Sequence, residues 1–128
     1  MPRTHIALLE GRPPAYHKTL FDSVHRALCE TFNVPEDDRF MTLSEHKKAQ
    51  YLYGTDYLGI HRSDDLVMIE ITCNNTRSVE QKKALYKRIV ELLADNLDLR
   101  PEDVFIGIVE VAKENWSFGQ GNAQYADA

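Results

Sequence analysis

The sequence predicts an α+β fold in which a strand–helix–strand unit occurs twice. Both halves have this element order, and each contains a Pro-Glu-Asp run, at Pro35 and at Pro101, a displacement of 66 residues (101 − 35). Arg12 and Arg77, displaced by 65 residues (77 − 12), each stand where a strand passes into a helix. A chance match of two short runs is the alternative, but it leaves the shared element order unexplained. We therefore predict a tandem β-α-β duplication.

The predicted duplication lies within a single domain that spans residues 1–128. The pseudo-repeats extend over about residues 2–44 and 66–112, and residues 113–128 form a C-terminal segment. We expect the four strands to form one sheet with both helices on one of its faces, because a right-handed crossover places each helix on the sheet in the same way.

The first repeat begins with a strand over Arg3–Leu9, whose β-favouring residues lead to a glycine turn. Pro13 and Pro14 suit the first turn of a helix, and Asn33-Val34-Pro35 ends it. A second strand is predicted over Arg39–Leu43. The apolar residues at helical spacing in between are Leu20, Phe21, Val24, Ala27, Leu28 and Phe32, joined by Thr31.

The second repeat has the same organisation, with a strand over Val67–Thr72 and a turn at Asn74-Asn75-Thr76. Ser78 and Gln81 have the spacing of a capping box at the start of the second helix. The fourth strand is predicted over Val104–Val111. The apolar face of the second helix consists of Leu85, Ile89, Leu92 and Leu93.

Both middle strands of the predicted sheet are almost continuously apolar, which indicates burial on both faces. Two helices cover only one face of a four-stranded sheet, so a further layer must cover the other face. Further copies of the same chain are the simplest candidates for that layer. The pattern therefore predicts self-association without giving its order.

Composition narrows the class of protein. The net charge of −5 without a basic block argues against nucleic acid as the main partner. No cationic segment precedes a long apolar stretch, so neither a signal peptide nor a membrane span is expected, and a cytoplasmic location is the default. Cys29 and Cys73 form no metal-binding pattern, and the five histidines have no ligand spacing, so we expect no metal.

Pro2 is the candidate reactive residue. It is small enough for Met1 to be excised in the cell, which would leave a secondary amine at the head of a strand. An α-amino group has an ordinary pKa of about 8. Burial or neighbouring cations would lower this pKa into the range of a physiological acid or base. The alternative is a terminus that simply frays.

Pro2, the strand ending Leu9-Glu10-Gly11-Arg12 and the duplicated β-α-β unit together resemble the tautomerase superfamily. Glu10-Gly11-Arg12 is similar to 4-oxalocrotonate tautomerase, whose short chain corresponds to one half of this one. The likeness extends from Pro2 to about Tyr125. The segments that resemble the malonate semialdehyde decarboxylase group within the superfamily are Val34–Arg39, Arg62–Asp64, Arg77–Lys82 and Asn115–Gln124.

The resemblance implies a homotrimer of β-α-β-β-α-β subunits whose sheets face the centre, and a cofactor-independent enzyme with small anion-binding pockets. It implies that Pro2 is the catalytic amine, that Asp38 is its partner carboxylate, and that Arg77 grips the substrate carboxylate. The residues implied to form part of an apolar wall are Trp116, Phe118 and Tyr125. Arg12 occupies the corner equivalent to Arg77, but each chain has only one N-terminus, so a structural role is favoured there.

One position departs from the decarboxylase pattern. That group carries Arg-Pro-Arg before its second helix, whereas this chain has Asn74-Asn75-Thr76-Arg77. A neutral amide can hydrogen-bond a carboxylate, but it supplies neither a charge nor a bidentate fork. Asn74 and Asn75 are therefore candidate substrate-binding residues, and general tautomerase chemistry is favoured over malonate semialdehyde decarboxylation.

The leading hypothesis is an enzyme that moves protons on small oxo acids through Pro2. As a free amine, Pro2 would remove a proton alpha to a carbonyl; as an ammonium, it would polarise a carbonyl instead. Arg77 and desolvation lower its pKa while Asp38 raises it, and the sequence leaves that balance open. One alternative is decarboxylation of a 3-oxo acid such as malonate semialdehyde. Another is a non-catalytic oligomer that binds a ligand or partner protein, which a retained Met1 would favour.

Overall fold

The computed structural model describes residues 1–126 and has the predicted order of elements. Short 3-10 helices lie in the connections between the long elements. The strands are β1 (Pro2–Leu9), β2 (Met41–His46), β3 (Val67–Asn74) and β4 (Val104–Val111), and the long helices are α1 (Pro14–Phe32) and α2 (Val79–Leu97). The last two residues of the expected C-terminal segment lie outside the described residues.

The four strands form one mixed sheet in the order β2-β1-β3-β4. β1 runs parallel to β2, and β3 runs parallel to β4. β1 and β3 are antiparallel in the middle of the sheet, where Pro2 lies opposite Cys73. Each parallel pair is connected through a helix, as a crossover between parallel strands requires. The predicted duplication of a β-α-β unit is thus confirmed.

Both helices pack on the same face of the sheet, and the core lies between the two layers. Strand alternation points Thr4, Ile6 and Leu8 toward the helices, while Arg3 and His5 point away and are exposed. The helical residues buried in this core are Leu20, Val24, Ala27, Leu28, Phe32, Leu85, Ile89, Leu92 and Leu93. The apolar stripes predicted for both helices therefore face the core.

The two helices begin differently and end alike. At the start of α2, Ser78 and Gln81 form the predicted capping box. At the start of α1, Pro13 makes no side-chain cap, and Pro14 takes the first turn. Both helices end on a residue in the left-handed conformation, Asn33 with φ 56° and Asp98 with φ 54°. Short polar side chains tolerate this conformation, which stops each helix where a strand must begin.

The second strand differs from its predicted bounds, because it begins at Met41 and continues to His46. The backbone N–H of Asp38 donates to Pro35, and that of Arg39 donates to Asp37. These turn hydrogen bonds keep Arg39 outside the strand. The polar residues after Leu43 belong to β2 because it is an edge strand, where solvent-facing polar side chains are accommodated.

A single chain covers the middle strands on one side only, so burial of their other side by further copies of the chain stays a prediction. We call the side away from the helices the open face. Arg3, His5 and Glu70 are exposed there, and so are Phe105 (54%) and Val109 (45%) on β4. The described part of the chain supplies no second layer over this face. Among residues 1–126, no helix is long and apolar enough to cross a membrane.

Candidate active site

The start of β1 is packed into the fold, and the terminus does not fray. Pro2 is buried and pairs with Cys73 near the end of β3. Met1 is also buried, with only 8% of its surface exposed. The chain terminus is thereby held at one end of the sheet, next to the segment that follows β4.

A cleft of about 530 Å³ opens beside Met1, and we call it the main cleft. Arg3 and Thr72, which are paired across β1 and β3 on the open face, both line it. A side cleft of about 240 Å³ is lined by Met1 together with Asp38 and Tyr125. The two clefts share the residues Met1, Phe40 and Phe118. The chain terminus therefore lies where the two clefts adjoin.

Three aromatic side chains after β4 form a continuous wall beside these clefts. The rings of Trp116 and Phe118 are stacked with their centroids 6.0 Å apart. Phe118 meets Tyr125 edge to face at 4.8 Å. The structure thus brings together the three aromatic residues implied by the resemblance, and a role in substrate binding remains a prediction.

Asn74 and Asn75 have different environments. Asn74 is 5% exposed, and its Oδ1 accepts a hydrogen bond of 2.7 Å from Nε1 of Trp116. Asn75 is exposed, and its backbone N–H donates to the carbonyl oxygen of Val111. Among the described residues, neither asparagine lines the two clefts. Asn74 positions the aromatic wall, and direct substrate binding by either asparagine stays a prediction.

The α-amino group of Met1 has a pKa lowered from its ordinary value of 8.0. Burial is the largest cause, and the positive charge of Arg77 is the second. The carboxylate of Asp38 acts in the opposite direction and does not reverse the shift. At this end of the sheet, the two influences that favour a neutral amine thus outweigh the one that favours the ammonium.

Asp38 is half-buried, and burial is the main reason why its pKa is raised from the ordinary 3.8. The α-amino cation partly offsets this rise. Asp37, the neighbouring carboxylate, is exposed, whereas Asp38 lines the side cleft together with Met1. Of these two carboxylates, Asp38 is therefore the one that acts on the chain terminus.

Arg77 stands just before Ser78, the cap of α2. Its Nη2 donates a hydrogen bond of 3.0 Å to the carbonyl oxygen of Phe32, and its guanidinium lies 4.9 Å from the centroid of the Phe32 ring. These contacts fix Arg77 between the end of α1 and the start of α2. A guanidinium has further N–H donors, which can bind a carboxylate at a helix N-terminus.

Arg12, the counterpart of Arg77 in the first repeat, has a structural environment. It forms an ion pair with Asp65, and its guanidinium lies 4.8 Å from the centroid of the Tyr16 ring. The two Pro-Glu-Asp runs also differ in their surroundings. Asp37 in the first run is exposed, whereas its counterpart Asp103 is fully buried and accepts hydrogen bonds of 2.7 Å from both the backbone N–H and the hydroxyl of Ser63.

Arg3 and Phe40 are among the residues lining the main cleft that sequence reasoning missed. The face on which Arg3 lies was predictable, because the alternation of a strand places its side chain on the face opposite to that of Pro2. Phe40 precedes an edge strand whose bounds were misplaced. Its carbonyl oxygen accepts a hydrogen bond from the backbone N–H of Thr4 at 3.0 Å, which holds it beside the start of β1.

No group of three or more His, Cys, Asp or Glu side chains that could hold a metal ion occurs in the described range 1–126. The groups available for chemistry at this site are the terminal amine, the carboxylate of Asp38, the guanidinium of Arg77 and the aromatic wall.

Comparison with protein families gives two matches. Models described as tautomerase enzyme match residues 38–119 and residues 2–60. The probable tautomerase YusQ of Bacillus subtilis is 40% identical over 124 residues, which cover 97% of this chain and 98% of the relative. The probable tautomerase YrdN of the same organism is 33% identical over 125 residues, with coverage of 98% and 96%.

Comparison with solved structures finds proteins of the same fold. A malonate semialdehyde decarboxylase described as having decarboxylase and hydratase activities matches with a TM-score of 0.93 at 33% identity, covering 98% of this chain and 96% of that one. A malonate semialdehyde decarboxylase inhibited by 3-bromopropiolate matches with a TM-score of 0.92 at 34% identity, covering 98% and 95%. A fused 4-OT described as a symmetric trimer matches at 0.78 with 17% identity, covering 98% of each chain, and shares the fold alone.

Proposed function

This chain belongs to the tautomerase family, and we propose that it interconverts the keto and enol forms of small oxo acids without a cofactor, with Pro2 as the proton carrier. One observation carries the proposal: the chain terminus is buried beside an aromatic-walled cleft, where Arg77 and Asp38 both act on the charge of its amine. A proton carrier, a cation for the substrate carboxylate and a site that excludes water are the three requirements of this reaction.

The proposal requires removal of Met1, so that Pro2 carries the terminal amine. Met1 is buried and lines both the main cleft and the side cleft. Its removal would join the two clefts and free the volume of its side chain for a substrate. The nitrogen of Pro2 would then lie at the junction, with Asp38 on one side and the floor formed by Arg3 and Thr72 on the other.

We propose that Pro2 acts as a base. Burial and the Arg77 charge lower the pKa of the Met1 amine, and they would act in the same direction on the adjacent nitrogen of Pro2 once Met1 is removed. A lowered pKa keeps more of the amine neutral near pH 7, which is the form that accepts a proton. The free amine takes a proton from the carbon alpha to the carbonyl and leaves an enolate. The resulting ammonium returns that proton to the enolate oxygen, which gives the enol, and the reverse sequence gives the ketone.

Arg77 and Asp38 have complementary roles in this mechanism. Arg77 binds the substrate carboxylate, and its charge stabilises the enolate as it forms. Asp38 orients the ammonium and limits how far its pKa falls. The wall of Trp116, Phe118 and Tyr125 excludes water, which strengthens both electrostatic interactions.

The test is the enol–keto conversion of phenylpyruvate. We expect Pro2→Ala to lower kcat/KM by about 10²- to 10⁴-fold, the usual contribution of a general acid or base. Pro101→Ala, which changes an exposed proline in a connection, is the matched control. Intact mass should show that Met1 is absent. Full activity of Pro2→Ala, or full activity of a chain that retains Met1, would refute the proposed mechanism.

A second candidate is decarboxylation of a 3-oxo acid such as malonate semialdehyde, which the two decarboxylase structures at 33% and 34% identity favour. In that reaction Pro2 as an ammonium polarises the carbonyl while Arg77 holds the carboxylate. Release of CO₂ from malonate semialdehyde tests it directly. Tautomerase activity without CO₂ release excludes this candidate, and absence of both activities together with a retained Met1 favours a non-catalytic binding protein.

We also propose a homotrimer in which the open faces of three sheets meet, while the main cleft, at the end of the sheet that carries the chain terminus, stays accessible to substrate. The exposed Phe105 and Val109 on that face support the proposal, because apolar surface is stabilised by burial between subunits. The trimer described for a fused 4-OT of the same fold gives the expected order.

A further inference from the structure

We propose that Arg3, which lines the main cleft, joins Arg77 in binding the carboxylate of the substrate, an inference that rests on the proposed function and names a class of substrate for it. That class is 2-oxo acids with an apolar or aromatic substituent.

Arg3 is adjacent to the proposed proton carrier, and it faces the main cleft. It follows Pro2 directly in β1, and the alternation of the strand turns its side chain to the open face. There it pairs with Thr72, and both residues line the main cleft. Among the described residues that line this cleft, Arg3 has the only charged side chain.

The guanidinium of Arg3 is available to a ligand. Arg12, Arg39 and Arg88 each form an ion pair with a carboxylate of the same chain. Within residues 1–126, by contrast, the side chain of Arg3 has no hydrogen bond and no ion pair. An unpaired guanidinium beside an aromatic wall offers a carboxylate two parallel N–H donors.

Asn74 does not supply the missing charge. It stands near the position where the decarboxylase pattern has an additional arginine, but its Oδ1 is engaged by the indole of Trp116. The chain uses Asn74 to hold the wall of the cleft, and a second cation lies instead on the neighbouring strand. Arg3 can therefore provide the second positive charge that the Arg-Pro-Arg pattern of the decarboxylases has and this chain lacks.

The arrangement of the cleft indicates how a substrate would lie. With its carboxylate on Arg3, the adjacent carbonyl and alpha carbon would reach the nitrogen of Pro2. An apolar substituent would then extend along the rings of Trp116 and Phe118. This placement favours arylpyruvate-like acids over short dicarboxylic acids, because an aromatic wall offers no partner for a second carboxylate.

The test compares phenylpyruvate with its methyl ester, which keeps the shape but lacks the charge. We expect Arg3→Gln to lower kcat/KM for the acid by about 10- to 100-fold, mainly through KM, and to leave the ester nearly unaffected. Arg3→Lys should restore part of the loss. Arg26→Gln, which removes an exposed arginine on α1, is the matched control and should resemble the wild type. Equal losses for acid and ester, or no loss for the acid, would overturn the inference.

Binding measured by calorimetry separates this inference from the proposed function. Phenylpyruvate should bind Pro2→Ala about 10- to 100-fold more tightly than it binds the double variant Pro2→Ala, Arg3→Gln. Equal affinities refute the role of Arg3, whatever the activity of Pro2→Ala. A difference of the expected size supports the role of Arg3, even if Pro2→Ala turns out to be fully active and the proposed base is refuted.

Discussion

The indole N–H of Trp116 donates a hydrogen bond of 2.7 Å to the side-chain oxygen of Asn74, across 42 residues of sequence. Asn74 is the last residue of β3 and is almost completely buried. The bond therefore attaches the segment after β4 to the rigid end of the sheet. Since Trp116 stacks on Phe118, this single contact determines where the aromatic wall stands relative to the chain terminus.

We expect Asn74→Ala to release this wall. A buried N–H that loses its partner costs about 1–3 kcal/mol, so the segment after β4 should become more mobile. Trp116 is the only tryptophan of the chain, so its fluorescence reports on the wall directly. The emission of Asn74→Ala should shift to the red and become easier to quench, whereas Asn75→Ala, which changes an exposed side chain, should not alter it. Identical spectra for the two variants would contradict the proposed anchoring.

Arg77→Leu should shift the rising limb of the pH–rate profile to higher pH. In the proposed mechanism the neutral amine is the active base, so activity should increase with pH through the pKa of the amine. The Arg77 charge lowers the pKa of the Met1 amine, and we expect it to act in the same direction on the adjacent Pro2 amine, so its removal should raise that pKa and leave less free amine at pH 7. Arg77→Lys keeps the charge and should keep the limb in place while weakening substrate binding. An unchanged limb in Arg77→Leu would show that this charge does not act on the amine.

Asp38→Asn should shift the same limb in the opposite direction. The carboxylate of Asp38 raises the pKa of the terminal amine, so its neutralisation lets that pKa fall further. The free amine then persists to lower pH, whatever happens to the maximal rate. Asp37→Asn removes the exposed neighbouring carboxylate and serves as the control. A limb that moves equally in both variants would mean that Asp38 has no special relationship to the amine.

Ser78→Ala should lower the free energy of unfolding by about 1 kcal/mol, the usual cost of losing a helix cap. The Ser78 hydroxyl accepts the backbone N–H of Gln81 at 3.1 Å, and Ser78→Ala removes this half of the capping box. Urea unfolding monitored by circular dichroism measures the loss. Thr76→Ala alters an exposed residue two positions earlier and should change stability much less. Equal midpoints for the two variants would contradict the energetic role of the capping box.

Val109→Lys should weaken the proposed trimer. Val109 is 45% exposed on the open face, and a charge placed between subunits would lose its hydration without a partner. Sedimentation velocity should show a trimer for the wild type and smaller species for Val109→Lys. Val79→Lys, at an exposed position at the start of α2 in the helical layer, should sediment like the wild type. A monomeric wild type, or a Val109→Lys variant that sediments as a trimer, would refute the assembly.

The fold was predictable because its elements follow simple periodicities. Helical spacing identified the buried stripes of α1 and α2, and apolar runs identified β1, β3 and β4. β2 was misplaced by two residues at its start and extends to His46, because an edge strand with polar side chains has a weak signal. Burial of the middle strands on both sides stays a prediction, since apolar runs do not show which chain supplies the covering surface.

The candidate site was predictable only in part. Pro2, Asp38 and Arg77 were named from motifs and from the resemblance, and the structure places the charges of Asp38 and Arg77 where they act on the terminal amine. The contact between Asn74 and Trp116 was not predicted, because nothing in the two local sequences indicates a pairing 42 residues apart. Arg3 was overlooked because strand alternation indicates which face its side chain is on but not that a cleft lies there.

The order of elements, the duplication and the family are properties of the sequence alone, since propensity, spacing and motif are written along the chain. The direction in which the amine pKa shifts was decided only by the tertiary structure. Burial and the Arg77 charge lower that pKa and Asp38 raises it, and which influence prevails depends on distances and on exclusion of water that no sequence pattern contains. The tertiary structure also decided that Arg3 lines the main cleft, because the sheet brings β1, β3 and the segment after β4 to one place.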